Sequence, residues 1–290
     1  MHKYGNYSPQ EGWDIQCACS RQLARLQVYH LLHCLRAGDR PAGCVPAPPP
    51  GRTLVEFAAA AWLPFHNTHF RDRAVPGHHR EPAWLAFAAA LERRLAAGQA
   101  LGLAELTEAV YGDLIAPVVE EGLRKDRPTW AEPCPFGAFS YTLNGEYAAL
   151  HFHNVYMPGS PFREPAQLVR SLRDIAADLR RREPGIGRIG VDSWVNNLRP
   201  FQALFPPAYG GSLTPTDPDS KGGLGWWGQF ILRTGHFNEE RAQRLRQTRQ
   251  FDFLRLHGEC AFEDFCRHIE RDTAEEETRR HGEEGRREKG

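Results

Sequence analysis

The sequence predicts an α+β protein, helical first and then a mixed β-sheet domain with a hairpin and a βαβ unit. Three observations predict it. Segments between Asp14 and Lys125 repeat their apolar residues at helical spacing. The run FSYTLNGEYAALHFHN, Phe139 to Asn154, alternates on either side of Asn144-Gly145, the preferred pair for a two-residue hairpin loop. An amphipathic stretch then separates that hairpin from a second alternating run, and strand, helix, strand of this length joins parallel strands. The resulting division is a helical domain at 1–130, a mixed α/β domain at 131–270 and a charged, disordered tail at 271–290.

The first helix is expected from Asp14 to Ala37, with Leu23, Leu26, Leu31, Leu32 and Leu35 among polar residues and Gly38 as its stop. Pro41 to Gly51, PAGCVPAPPPG, reads as a stiff extended connection. A second helix begins near Thr53 and runs to Pro64, followed by a histidine-rich loop with His66, His69, His78 and His79. A third spans Glu81 to Ala97, with Pro82 in its first turn and Trp84, Leu85, Phe87, Ala88, Leu91 and Leu95 as its apolar stripe. The fourth, Ala104 to Lys125, contains Pro117 and should bend or split there.

In the hairpin, a loop at Asn144-Gly145 puts Leu143 opposite Glu146, Tyr141 opposite Ala148, Phe139 opposite Leu150 and Ala138 opposite His151. Phe139, Tyr141, Leu150 and Phe152 then form a core face. Ala138, Ser140, Thr142, Ala149, His151 and His153 form the other. The helix from Pro165 to Arg182 carries Leu168, Leu172, Ile175 and Leu179, and Ile189 to Val195 is the next strand. Leu198 to Leu204 suggests a short helix, and a turn-rich loop follows. GWWGQFIL, Gly225 to Leu232, reads as a strand or a buried segment. Asn238 caps a polar helix to about Arg249, Phe251 to Cys260 alternates like a strand, and a last helix carries Phe262, Phe265 and Ile269.

The 36 basic and 36 acidic residues balance, which argues against a surface built for nucleic acid or anionic membrane. No apolar run is long enough for a membrane span, and the first residues lack an apolar leader core, so a cytoplasmic protein is expected. Seven cysteines without a CxxC pair fit reduced thiols.

Chemistry concentrates where the parallel strands end, because ligands of open α/β sheets bind outside those carboxyl ends. His151 and His153 project from one face, as a general base and its neighbour or as half of a metal site. His236, His257, Glu259 and Asp192 are the candidates for further metal ligands. Asn154, Ser193, Trp194, Asn196, Asn197 and Gln229 are expected to contact a small-molecule substrate. The turn Pro158-Gly159-Ser160 ahead of a helix is an expected anion site, with Gly159 and Ser160 as cofactor-binding residues. Cys260, beside His257 and Glu259, reads as a buried thiol, since at strand spacing it points away from His257.

The order LHFHNVYMPGSPFREPAQLVRSLRDIA, IGVDSWVNNLRPFQALFP and GWWGQFI resembles the C-terminal domain of a bacterial group of acyltransferase-like proteins with a helical N-terminal domain and a GNAT-like fold. The matching positions are Leu150-His151, Ser193-Trp194 and Phe230-Ile231, within about 90 residues. The resemblance implies acyl transfer from a thioester such as acyl-CoA, with splayed strands admitting its pantetheine arm. Two other readings stand beside it: a metal-dependent enzyme using His151 and His153, and a non-catalytic protein whose same face holds a ligand or partner.

Overall fold

A computed structural model describes residues 4–37, 82–130, 132–216 and 224–271. The helix expected from Thr53, the proline-rich connection, the histidines of the 66–79 loop and the charged tail beyond 271 lie outside the described residues. The fold is α+β. In chain order it runs α1 (Pro9–Ala37), α2 (Pro82–Ala97), α3 (Leu103–Val110), α4 (Ala116–Trp130), β1 (Phe139–Asn144), β2 (Tyr147–Phe152), α5 (Pro165–Arg182), β3 (Arg188–Ser193), β4 (Thr214–Pro215), α6 (Glu239–Thr248), β5 (Leu256–Ala261) and α7 (262–271). The chain forms two compact units. One contains Tyr7–Ala131 and Thr216–Leu254, the other Met1–Asn6, Glu132–Pro215 and Arg255–Gly290. Among the described residues no helix is long and apolar enough to cross a membrane.

The helical unit is built on α1. Ala24, Val28, Leu31 and Leu32 pack with Leu91 of α2, Leu106 and Val110 of α3 and Val119 and Leu123 of α4. The fourth predicted helix does split, through a π turn at Tyr111–Ile115 in which the Ala116 amide donates to Tyr111 O. Pro117 explains the position: it has no amide to give to the preceding turn, and its ring crowds the carbonyl that would have accepted. Leu23 and Leu26, also on α1, pack with Trp226, Trp227, Phe230, Ala242 and Leu245. The GWWGQFIL segment is therefore buried but is not a strand. It forms helical turns at Leu224–Trp227 and Gly228–Phe230. A short apolar run reads equally as buried helix or strand by periodicity, and here packing of both indoles against α1 decides.

The sheet unit has the strand order β1-β2-β3-β5-β4. β1 and β2 are an antiparallel hairpin, β2 and β3 are parallel and joined by α5, and β5 is antiparallel to both β3 and β4. The hairpin register differs from expectation. Asn144 pairs with Tyr147, so the loop is Gly145-Glu146, and Tyr141 faces Leu150, Phe139 faces Phe152 and Ser140 faces His151. Of the two loop residues, only Gly145 takes the left-handed conformation, at φ 61°. Glu146 is held in the turn because its carbonyl accepts from Gly187 N at 2.9 Å and Arg188 N at 3.1 Å, at the start of β3. Each partner moves by two residues, so the division of side chains between the two faces is unchanged.

One face of this sheet is the core. Ala148, Leu150, Ile189, Val191 and Cys260 meet Leu168, Leu172, Ile175 and Leu179 of α5, and Phe262, Phe265 and Ile269 of α7 close it. Phe201, Phe205 and Tyr209 complete it, with the Phe205 and Tyr209 rings stacked at 4.1 Å. Burying each such large apolar side chain contributes about 1.5–3 kcal/mol, so this cluster holds the strand order. The helices cover one face, which leaves the polar alternation of every strand on the other.

β5 begins later than its sequence pattern predicts. Phe251 and Phe253 precede the strand, and Phe251 packs with the helical unit's tryptophans. The alternation that matters is Leu256, Gly258 and Cys260 toward the core against Arg255, His257 and Glu259 toward the polar face.

Candidate functional site

The register brings side chains from four strand segments onto that polar face. Ser140 and Thr142 come from β1, Tyr147, Ala149 and His151 from β2, Arg188, Gly190 and Asp192 from β3, and His257 and Glu259 from β5. His153 lies one step past β2, where its amide donates to Ala138 O at 2.8 Å. Each predicted histidine meets a β1 hydroxyl diagonally: His151 Nε2 is 3.1 Å from Thr142 Oγ1 and His153 Nε2 is 3.1 Å from Ser140 Oγ. His151 is exposed and His153 half-buried.

Charged groups complete the face across β3 and β5. Arg255 grips Asp192 bidentately, Nε to Oδ1 at 2.8 Å and Nη2 to Oδ2 at 2.6 Å. His257 Nε2 is 3.3 Å from Glu259 Oε2, and Arg188 Nη1 donates to Glu259 Oε1 at 3.0 Å. Burial acts to raise the Glu259 pKa, but the hydrogen bonds and charges of His257 and Arg188 outweigh it and hold the carboxyl below its ordinary value.

Tyr147 lies among these groups, its ring 6.1 Å from that of His257. Burial, reinforced by the negative charges of Glu259 and Asp192, pushes its phenol up to about 12. The hydroxyl therefore keeps its proton at neutral pH. Gly190 makes room for it: a β-carbon there would stand 2.9 Å from the Tyr147 hydroxyl and 2.3 Å from Gly258 O.

At this level the parallel pairing ends. β2 and β3 pair from Tyr147 and Arg188 as far as Leu150 and Val191, and no further. Yet β2 runs on to Phe152 bonded to β1, and β3 runs on to Ser193 bonded to β5. His151 and Asp192 are the first facing residues beyond the last pair.

The other predicted contacts distribute differently. Asn196 is fully buried, and its amide donates to Val191 O at 2.9 Å and Leu256 O at 2.7 Å while its Oδ1 accepts from Tyr209 at 2.7 Å. This ties β3 to β5 and leaves no polar atom of its side chain for a substrate. Gln229 belongs to the helical unit and is likewise buried, donating to Trp226 O and Phe253 O and accepting from Phe253 N. Asn197 donates to Trp194 O, Ser193 Oγ accepts from Val195 N, and Trp194 packs partly against the core. Asn154 Oδ1 accepts from Tyr156 N and its Nδ2 donates to Gly159 O at 3.4 Å. Gly159 N donates to Tyr156 O, and Ser160 Oγ accepts from Phe162 N. The structure thus brings His151 and His153 together and spends the asparagines, Gln229 and the Gly159-Ser160 turn on the fold.

Sequence reasoning does not single out Tyr147, Arg188 or Arg255; it reads Asp192 as a candidate metal ligand, and His257 and Glu259 as candidate metal ligands and as neighbours of Cys260. The period-two spacing of Arg255, His257 and Glu259 was a usable signal, though it gains meaning only once β5 is known to pair with β3. Among the described residues, no group of three or more His, Cys, Asp or Glu side chains could hold a metal ion. A groove of about 540 Å³ lined by Pro206, Pro207, Ala208, Asp264, Arg267, Glu270 and Arg271 includes none of the candidate residues. Compared with known proteins, the chain matches no family model, no curated protein and no solved structure.

Proposed function

We propose that the sheet unit is an acyltransferase of small-molecule metabolism, moving an acyl group from a thioester to a nucleophilic acceptor on the polar face. The observation that carries this reading is that the β2–β3 pairing ends at Leu150 and Val191 while both strands continue. A parallel pair that separates at its carboxyl end is the feature by which the resembled GNAT-like fold admits the extended arm of a thioester. The edges that the ends of β2 and β3 turn toward each other carry no mutual pairing, and backbone groups there suit an extended, amide-bearing chain, which they can bond as a strand would.

In this reading a histidine of the His151 and His153 pair takes the proton from the acceptor's N–H or O–H. The nucleophile bonds to the thioester carbonyl carbon, the C–S bond breaks, and the sulfur leaves with the electron pair and is protonated to the thiol. The hydroxyls of Thr142 and Ser140 hold the two imidazoles in orientation. Tyr147, protonated at neutral pH, supplies a neutral hydrogen-bonding group beside the charged pairs.

The test is thiol release from a panel of acyl thioesters mixed with amine and alcohol acceptors. Acceptor-dependent release is expected from the wild-type protein, falling at least 100-fold in a folded His151→Ala or His153→Ala variant. Undiminished activity in both single variants would remove the histidines from the mechanism, and no release with any thioester would end the reading.

A further inference from the structure

We propose that β1 is a docking edge for a second copy of this chain, the two sheets joining antiparallel about a two-fold axis at Thr142. The proposal does not depend on the acyl-transfer reading.

The strand order leaves β1 and β4 at the two edges of the sheet. An edge offers unpaired amides and carbonyls to any extended chain, and proteins blunt it by shortness, proline or charge. β4 has two of these devices, being only Thr214-Pro215. β1 has none: Phe139–Asn144 reads FSYTLN, without charge or proline. Thr142, Leu143 and Asn144 are exposed along it, and Leu143, at 39%, is the one large apolar side chain exposed among the described residues of the sheet unit.

Two hydrogen bonds fix which groups of β1 point outward. His153 N donates to Ala138 O across the hairpin, while Phe139 N turns the other way and donates to Phe136 O. Backbone direction alternates along a strand, so Ser140, Thr142 and Asn144 bond β2, whereas Tyr141 and Leu143 point their amides and carbonyls away from it. Among the described residues, no group takes the amide or carbonyl of Tyr141 or Leu143.

That row of donors and acceptors is its own complement. With Thr142 on the axis, Tyr141 of each copy faces Leu143 of the other, and each such pair exchanges both N–H···O bonds. An axis at Tyr141 would instead bring Leu143 against Phe139, whose outer side Phe136 already occupies. With the axis at Thr142, β1 of the second copy ends opposite Ser140, short of Phe136. The side chains agree with this register. Leu143 is laid against the Tyr141 ring of the second copy, Thr142 meets Thr142 and Ser140 meets Asn144, with no charge opposed to its like. Thr142 Oγ1 also lies 3.1 Å from His151 Nε2, so the axis places the His151 groups of both copies on one continuous polar face. The contact is one short strand from each copy, which makes the dimer weak and concentration-dependent.

The test is sedimentation velocity on the full chain over a concentration series, paired with hydrogen exchange at Tyr141 and Leu143. We expect a monomer–dimer equilibrium in which both amides gain protection as concentration rises. Leu143→Pro removes an outward amide without touching a β1–β2 bond, and Leu143→Lys keeps the amide but loses the apolar pair. Each folded variant should raise the dimer dissociation constant by a factor of about ten or more. Leu224→Lys, at an exposed leucine of the helical unit, should leave it unchanged. A monomer at every concentration would overturn the proposal, even if an added strand-forming peptide binds β1. So would a dimer that Leu224→Lys dissolves and both Leu143 variants keep, or protection of the two amides that is independent of concentration.

Discussion

The Tyr147 hydroxyl lies 2.9 Å from where a β-carbon on Gly190 would stand. Two strands, β2 and β3, are thereby matched in composition as well as register: a large half-buried phenol on one requires a missing side chain on the other. A methyl group at 190 would also meet Gly258 O at 2.3 Å and Glu259 Cα at 3.0 Å, both backbone of β5. Gly190→Ala should therefore cost about 1–3 kcal/mol as overpacking. Because the closest obstruction is backbone, adding Tyr147→Phe should restore little of that loss. Urea unfolding of the single and double variants measures this, and full recovery in the double variant would contradict it.

Asn196 offers a second test, since it was expected to touch substrate and instead bolts the sheet. Its replacement by alanine removes the bonds to Val191 O and Leu256 O and strands the Tyr209 hydroxyl in the core. Leaving buried groups of this kind unsatisfied costs about 1–3 kcal/mol each at most, with partial relaxation reducing the sum. Asn196→Ala is expected to lower stability by about 2–4 kcal/mol, whereas Asn197→Ala, which loses one half-buried bond to Trp194 O, should cost about 1 kcal/mol. A similar cost for the two in denaturant titrations would count against the role assigned to Asn196.

How far this fold was legible in the sequence depends on the distance over which each interaction acts. The hairpin and its two faces follow from local alternation, and α5 from its leucine spacing, so both could be read directly. The hairpin register could not, because it depends on Glu146 O accepting amides from Gly187 and Arg188, some forty residues on. His151 and His153 were found by parity alone. Arg255 joins Asp192 across 63 residues, and Tyr147 meets His257 only after two further strands have assembled, so neither pairing had a local signature. The burial of Asn196 has no local signature for a related reason: a polar residue after a strand looks the same whether it faces solvent or closes the sheet beneath it.

The Tyr141 and Asp178 pair makes a prediction in pH. The Tyr141 hydroxyl donates to Asp178 Oδ2 at 2.7 Å, joining β1 to α5. That bond, assisted by Arg182 and Arg181 against the burial of the carboxyl, holds the Asp178 pKa below its ordinary value, and it also raises the Tyr141 pKa. A depressed carboxyl pKa gives stability that is present above the unfolded value of about 3.9 and is lost as pH falls through the lower folded value. A raised phenol pKa gives stability that is present below the unfolded value of about 10 and is lost as pH rises through the folded one. Tyr141→Phe should thus be less stable than wild type at pH 7, and the two should converge both in acid and in strong base. Denaturant midpoints across pH 2–11 measure it. A difference constant over that range would mean that the bond contributes nothing and the loss is one of packing.

Cys260 is the buried thiol that its strand position predicts, turned away from His257. On β5 the two residues are three apart and fall on opposite faces, with Cys260 in the core near Ile189 O and His257 on the polar side. Burial pushes the Cys260 thiol up to about 12, and since the thiolate is the reacting form, its share at pH 8 falls about three orders of magnitude below that of a free cysteine of pKa about 8.5. Native protein treated with iodoacetamide at pH 8 should therefore leave Cys260 unmodified while half-buried Cys34 is alkylated, and denaturant should make both react alike. Peptide mass spectrometry reads the two sites separately. Rapid native alkylation of Cys260 would mean that β5 opens or twists to bring its core face to solvent.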